Sequence, residues 1–156
     1  MTITINVQEL ADDIFAKSHY GTSFIEGVDQ RYDVEAGEDK KDDIARCLAE
    51  ANAAVTTICS RFLICSYNGV ASNFVDLPDS FVYKFKASER RFENRAQAYA
   101  DVMHSLLVNL TLFKYYNDVS HGDLAVKHDG LAKGDIALLE RLLYEKTPPI
   151  PPTELR

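Results

Sequence analysis

No stretch of this sequence approaches the roughly 20 consecutive apolar residues that a membrane-spanning helix requires, and basic side chains are scarce. Lysine and arginine number 17 against 24 acids, a formal net charge of −7. Binding to a nucleic-acid backbone or to an anionic membrane surface draws on clustered Lys and Arg, so neither is expected as a partner. Cysteine is limited to three residues, an odd number. Cys47 and Cys59 fall on one expected helix, too far apart to bridge, and Cys59 and Cys65 read as small core hydrophobes. The opening Met1-Thr-Ile-Thr-Ile-Asn6 lacks the basic flank and apolar core of a secretion signal, so a reduced, intracellular setting is expected. Missing too are a phosphate-cradling glycine loop, a Cys-x-x-Cys pair and a Gly-x-Ser-x-Gly elbow. Those absences point to a binder or building block, with no catalytic residues and no cofactor expected.

What the sequence does have is helical periodicity. Phe92, Ala96, Tyr99, Met103, Leu106, Leu110 and Phe113 recur at alternating intervals of four and three, and so do Ile44, Leu48, Ala51, Val55, Ile58, Phe62 and Cys65. Two long amphipathic helices with matching seams should pack side by side. At 156 residues the chain is long enough to bury about two-thirds of its unfolded surface. The expected fold is mainly α: a helical bundle of two long packed helices and two shorter ones, a short extended or strand segment, and an extended C-terminal arm. A single helical domain is expected over 1–146, followed by a proline-rich tail over 147–156.

In chain order, the first helix is expected from Val7 to Ser18, with Asn6 and Glu9 spaced as in a capping box. An acidic, glycine-punctuated surface loop with one short helical turn follows to about Asp39. The second helix starts at Asp39 to Asp42, where carboxylates suit the positive end of the helix dipole, and runs to Ser66 before an Asn68-Gly69 turn. Phe81, Tyr83 and Phe85 alternate with Val82, Lys84 and Lys86, the period of a strand. Its pairing partner is either Thr2 to Ile5 or another subunit. Ser88 and Glu89 suit the start of the next helix, which runs to Tyr116. A Gly- and Asp-rich linker spans 117–134, and Asp135 caps a final helix to Lys146. Pro148, Pro149, Ile150, Pro151, Pro152 and Leu155 then form an extended polyproline-type arm with apolar anchors, suited to docking on a partner. Phe81, Tyr83 and Phe85 join them as interaction candidates.

Three constellations invite a chemical reading. In the linker, His121-Gly-Asp-Leu-Ala-Val-Lys is followed by His128-Asp-Gly-Leu-Ala-Lys-Gly. His121, Asp123, His128 and Asp129 are therefore candidate metal ligands, and a small metal-dependent hydrolase is one alternative function. The competing reading is a loop pinned by Leu124, Val126 and Leu131. Asp101, His104 and Ser105 share a helix face, but neighbours on one helix rarely meet the geometry of a nucleophilic triad. The segment from Glu26 to Asp43 holds eight acids against three bases. Its spacing does not fit the helix–loop–helix calcium motif, so it reads as a solvated acidic surface. A further alternative is an acidic inhibitor-type protein that masks a basic partner.

The run Ile44-Ala-Arg-Cys-Leu-Ala-Glu-Ala-Asn-Ala-Ala-Val resembles the Ala-rich helix near the start of the head–tail connector (adaptor or head-completion) proteins of tailed bacteriophages and prophages. Ala98-Tyr99 through Leu112-Phe113-Lys114-Tyr115-Tyr116 is similar to their second long helix with its aromatic end. A short last helix and a C-terminal arm complete the likeness, which covers the larger part of the chain. The linker and the Phe81–Phe85 stretch are longer than a minimal connector needs. The resemblance implies a ring homo-oligomer whose other partners are portal and tail proteins. It also implies a host cytoplasmic location during assembly and a place in the virion afterwards.

Overall fold

Asn6 closes a strand and opens a helix. The computed structural model describes residues 1–65, 71, 73–86 and 95–145. In it β1 runs Thr2–Asn6, α1 runs Val7–Thr22, and Asn6 Oδ1 accepts the Glu9 N–H at 3.0 Å. The capping spacing is thus realised, and the helix continues one turn beyond Ser18. Next come α2 (Val28–Val34), a 3-10 turn (Glu38–Lys40), α3 (Lys41–Cys59), β2 (Leu63–Cys65), a 3-10 turn (Phe74–Asp76), β3 (Ser80–Phe85), α4 (Ala96–Asp118) and α5 (Gly122–Tyr144). The fold is mainly α. Among the described residues no helix is long and apolar enough to cross a membrane.

The three strands form an antiparallel sheet in the order β1-β3-β2, with Ile3 opposite Tyr83 and Ile5 opposite Phe81. Of the two partners expected for the Phe81 strand, the intramolecular one is therefore realised. Period-two alternation then decides what each side chain does. Ile3, Ile5, Phe81, Tyr83 and Phe85 all face the core, whereas Thr2, Thr4 and Lys84 face out. This corrects the expectation that Phe81, Tyr83 and Phe85 are interaction residues: each is at most 2 % exposed. The Tyr83 hydroxyl donates to Asn52 Oδ1 on α3, and the Phe85 ring lies 5.8 Å from that of Tyr99 on α4. Pro148, Pro149, Ile150, Pro151, Pro152 and Leu155 lie outside the described residues, as do Phe92, Ser88, Glu89 and the Asn68-Gly69 turn.

The two seams do lie against each other. Arg46 reaches Asp118 at 2.8 Å and Lys114 reaches Glu50 at 3.4 Å, so α3 and α4 run antiparallel. Yet α4 is more than one wall of a pair. Leu107, Val108, Thr111, Leu112, Tyr115 and Tyr116 are buried off the expected seam, while Leu110 and Phe113 on it are only half-buried. A helix apolar on most sides is an interior helix, and α4 is enclosed by α1, α3, α5 and β1. The second helix ends seven residues before Ser66, at Cys59. The Phe62 N–H bonds back to Cys59 O at 2.8 Å, and the chain then turns into β2 beside β3.

The largest departure is α5. The expected Gly-Asp linker is helical from Gly122, and Asp135 lies inside the helix instead of capping it. Leu124, Ala125, His128, Ala132, Leu139 and Leu143 are buried along one face. Burying that stripe on α4 outweighs the glycines, each of which costs a helix interior about 1 kcal/mol. The reversal between α4 and α5 is short. Ser120 takes the left-handed conformation at φ 59°, and the Ser120 and His121 N–H groups bond to Asn117 O and Tyr116 O at 3.2 and 2.9 Å. That pair of bonds closes the helix end in the manner usually given to glycine.

Where a Cβ would stand on Gly130 or Gly134 there is no atom within 4 Å. Gly130→Ala and Gly134→Ala are each expected to stabilise the protein by about 0.5–1 kcal/mol, because alanine restricts the unfolded chain and meets nothing in the fold. Urea unfolding midpoints measure this, and a lowered midpoint for both would contradict a helical α5.

Candidate functional site

Polar side chains are few in this core, and three of the six buried ones among the described residues, Ser18, Asn109 and His128, join in one chain across α1, α4 and α5. On α4, Ser105 Oγ and Asn109 Nδ2 donate to Asp135 Oδ2 of α5 at 2.8 and 2.9 Å. Asn109 Oδ1 lies 3.1 Å from His128 Nδ1. The His128 ring stacks on Tyr116, with centroids 5.6 Å apart. Tyr116 in turn donates its hydroxyl proton to Ser18 Oγ on α1 at 2.9 Å, and that oxygen accepts the Ala36 N–H at 2.7 Å. A buried polar group needs such partners, since an unmet one costs about 1–3 kcal/mol.

The network fixes the state of the histidine. Asp135 is a carboxylate and only accepts, so the Asn109 amide must turn its NH2 toward it. Its carbonyl oxygen then faces His128, and Nδ1 must carry the proton to donate to it. In the neutral ring Nε2 is left as a lone pair. That atom is buried and has no hydrogen-bond partner. Burial, and then the positive charges of Lys127 and Lys17, lower the His128 pKa to about 4, so the ring is neutral near pH 7. Burial also raises the Tyr115 and Tyr116 phenols above their ordinary value.

His128 is also part of a surface feature. With Lys17, Tyr20 and Gly21 of α1 and Lys127 and Leu131 of α5, it lines an open cleft of about 270 Å3. Lys17 and Lys127 are exposed, and among the described residues neither is paired with a carboxylate. This is a locally cationic spot on an acidic protein.

The candidates read from the sequence do not converge. His121 immediately precedes α5 and is half-buried, and Asp123 is exposed in its first turn. Asp129 pairs with Lys133 at 2.6 Å, whereas His128 points inward. Among the described residues no three His, Cys, Asp or Glu side chains come together as metal ligands would. Asp101 accepts from Gln97 at 2.7 Å, His104 pairs with Asp13 of α1 at 2.6 Å, and Ser105 is bound to Asp135. Each member of that helix-face set is thus tied to a different partner.

The acidic segment is folded by its own bases. Arg31 donates to Ser23 O and Ile25 O at 3.0 and 3.2 Å, and Lys40 to Glu35 O at 3.0 Å. Glu26, Asp29, Asp33, Glu38 and Asp39 remain exposed. A linker over 117–134 leaves no place for the His128 network, which needs a helix there. Placed on a helix, His128 falls between Leu124 and Ala132 at intervals of four, and the spacing alone would have turned it inward. No family model, curated protein or solved structure matches this chain.

Proposed function

We propose that this protein is a structural subunit that acts by assembling with copies of itself and with other proteins, as a head–tail connector of a tailed bacteriophage or prophage. The observation that carries the reading is a series of large apolar side chains left in solvent although the core is filled. Tyr20, Phe24, Val28 and Tyr32 recur at every fourth residue through the end of α1 and α2, and are 77, 66, 83 and 59 % exposed. We read this series as a contact surface for another protein. Assembly of like subunits through unlike faces closes into a ring when the rotation permits. The exposed acids of 26–43 favour the same setting, because fixed negative charge lets DNA slide through a channel without adhering. Charged and apolar surface on a mainly helical frame supports this reading over catalysis.

Light scattering after size exclusion tests it. The protein, alone or with a portal-type partner, is expected to run as a multiple of the monomer mass. Phe24→Glu combined with Val28→Glu is expected to weaken association at least about tenfold, which corresponds to roughly 1.4 kcal/mol, with helical content unchanged. A monomer at every concentration, with and without such a partner, overturns the proposal.

A further inference from the structure

Strand β1 is an edge of the sheet, and its register shows which of its main-chain groups face outward. The Phe85 N–H bonds to Met1 O at 2.8 Å and the Val7 N–H to Asp79 O at 3.0 Å, at the two ends of the β1–β3 ladder. Bonded and non-bonded pairs alternate along an antiparallel ladder. Ile3 and Ile5 therefore exchange bonds with Tyr83 and Phe81, while Thr2 and Thr4 turn their N–H and C=O groups away from β3. Among the described residues nothing bonds to those four groups, and both threonines are exposed. An open edge is normally guarded by a charge, a proline, a bulge or its own shortness. The other edge, β2, has two of these guards, being three residues long and irregular in register. Strand β1 has none: its Thr-Ile-Thr-Ile-Asn is five residues long, regularly paired, uncharged and free of proline.

We propose that β1 pairs antiparallel with β1 of a second copy of this chain, joining two three-stranded sheets into one continuous sheet. The contact is separate from the Tyr20–Tyr32 face and like-to-like, as a two-fold axis requires. With Ile3 of both copies at that axis, Thr2 of each copy stands opposite Thr4 of the other. The outward N–H and C=O groups of one strand then meet the same groups of its partner, and Ile3 and Ile5 of both copies stay on the core side. Charge selects this direction. Lys84 lies opposite Thr2 at one end of the strand, and Glu9 and Asp79 lie beside Asn6 and Val7 at the other. All three are exposed, and among the described residues none is in an ion pair. Antiparallel pairing brings the lysine end of each copy toward the acidic end of the other, whereas parallel pairing sets like charge against like. The net charge of −7 opposes self-association in general, but the paired strands themselves carry no charge. The proline-rich tail does not fit this edge. Within 147–152 no two residues spaced two apart both carry an N–H, so that segment cannot continue a ladder.

The experiment is amide hydrogen exchange of the full chain across a dilution series, for the wild type and for Phe24→Glu with Val28→Glu. In both, protection of the Thr2 and Thr4 amides is expected to rise at least about tenfold from dilute to concentrated protein. The Ile3 and Ile5 amides, bonded to β3, should exchange slowly throughout. Thr4→Pro removes one outward N–H and leaves the bonds to β3 in place, and Thr4→Lys keeps the N–H but places a charge on the edge. Each is expected to weaken dimerisation in sedimentation equilibrium at least about tenfold, Thr4→Lys with the melting temperature of the dilute protein unchanged. Free exchange of Thr2 and Thr4 at every concentration overturns the proposal. Protection that is independent of concentration means that the chain covers its own edge, and overturns it too. So does dimerisation that survives Thr4→Lys. Concentration-dependent protection that vanishes with Phe24→Glu and Val28→Glu alone assigns the contact to the other face and refutes this one, whereas its persistence there leaves β1 pairing standing even if that face does not associate.

Discussion

Acidification from pH 7 to pH 4 is expected to cost the fold about 3 kcal/mol through His128 alone. The sign follows from proton counting. In the unfolded chain the imidazole takes a proton at its ordinary pKa of about 6.5, whereas in the fold it does so only at about 4. Between those values the unfolded state binds more protons, so stability rises with pH across the window and falls as acid is added. Above pH 6.5 both states are neutral and the full stability is present. The interval of about 2.5 pH units, at 1.36 kcal/mol each, sets the magnitude. The cause is geometric: the ring is 3 % exposed, Nδ1 already holds its proton against Asn109, and a second proton on Nε2 has no acceptor. Urea unfolding of the wild type and His128→Gln over pH 4–7 measures the effect as the difference between the two curves. A flat difference would mean that the imidazole is not sequestered. A direct titration of the His128 ring by NMR gives the folded pKa even if the variant is too unstable to compare.

Replacing Phe81 by alanine is expected to destabilise the monomer by about 3–5 kcal/mol, the range for removing a buried aromatic ring. Lys84→Ala, three residues along the same strand and exposed, should stay within about 0.5 kcal/mol. The contrast separates two roles for β3. A strand that served as a docking arm would leave the isolated subunit's stability unchanged when Phe81 is lost, and would weaken only association. The burial of Phe81 between β1 and the helices places its contribution within the subunit. Equilibrium unfolding at a concentration below that of any assembly is the measurement, and equal midpoints for the two variants would refute the core assignment.

The elements most legible in the sequence are those whose signal is local. Asn6 and Glu9 mark a cap because the side chain and the N–H that it accepts are three residues apart. Phe81, Tyr83 and Phe85 mark a strand because alternation needs only a few residues, and its apolar face found Ile3 and Ile5 within the same chain. The two seams gave the α3–α4 pair. What a seam cannot convey is how many neighbours a helix has: Leu107, Val108 and Leu112 lie off the seam yet are buried, and α4 meets α1, α5 and β1 as well as α3. Helix α5 was hidden for the opposite reason. Gly122, Gly130 and Gly134 weaken the local preference, while the packing that overrides it is tertiary. The polar network was illegible because its members, Ser18, Ser105, Asn109, Tyr116, His128 and Asp135, are brought together from three helices. The resemblance to connector proteins concerned layout alone and offered no residue of this cleft.

The enclosure of α4 has a consequence for how the chain acquires its shape during synthesis. Helices α1 and α3 lean on α4 far more than on each other, and β1 waits for a partner some eighty positions later. As the polypeptide leaves the ribosome, its first half therefore has little to close upon, and α4 itself stays open along one flank until α5 has emerged. Local contacts between α4 and α5 form at low entropic cost, so that pair is suited to act as the template on which the earlier segments condense. Folding of this kind is expected to be cooperative and to wait until α4 and α5 have both been made.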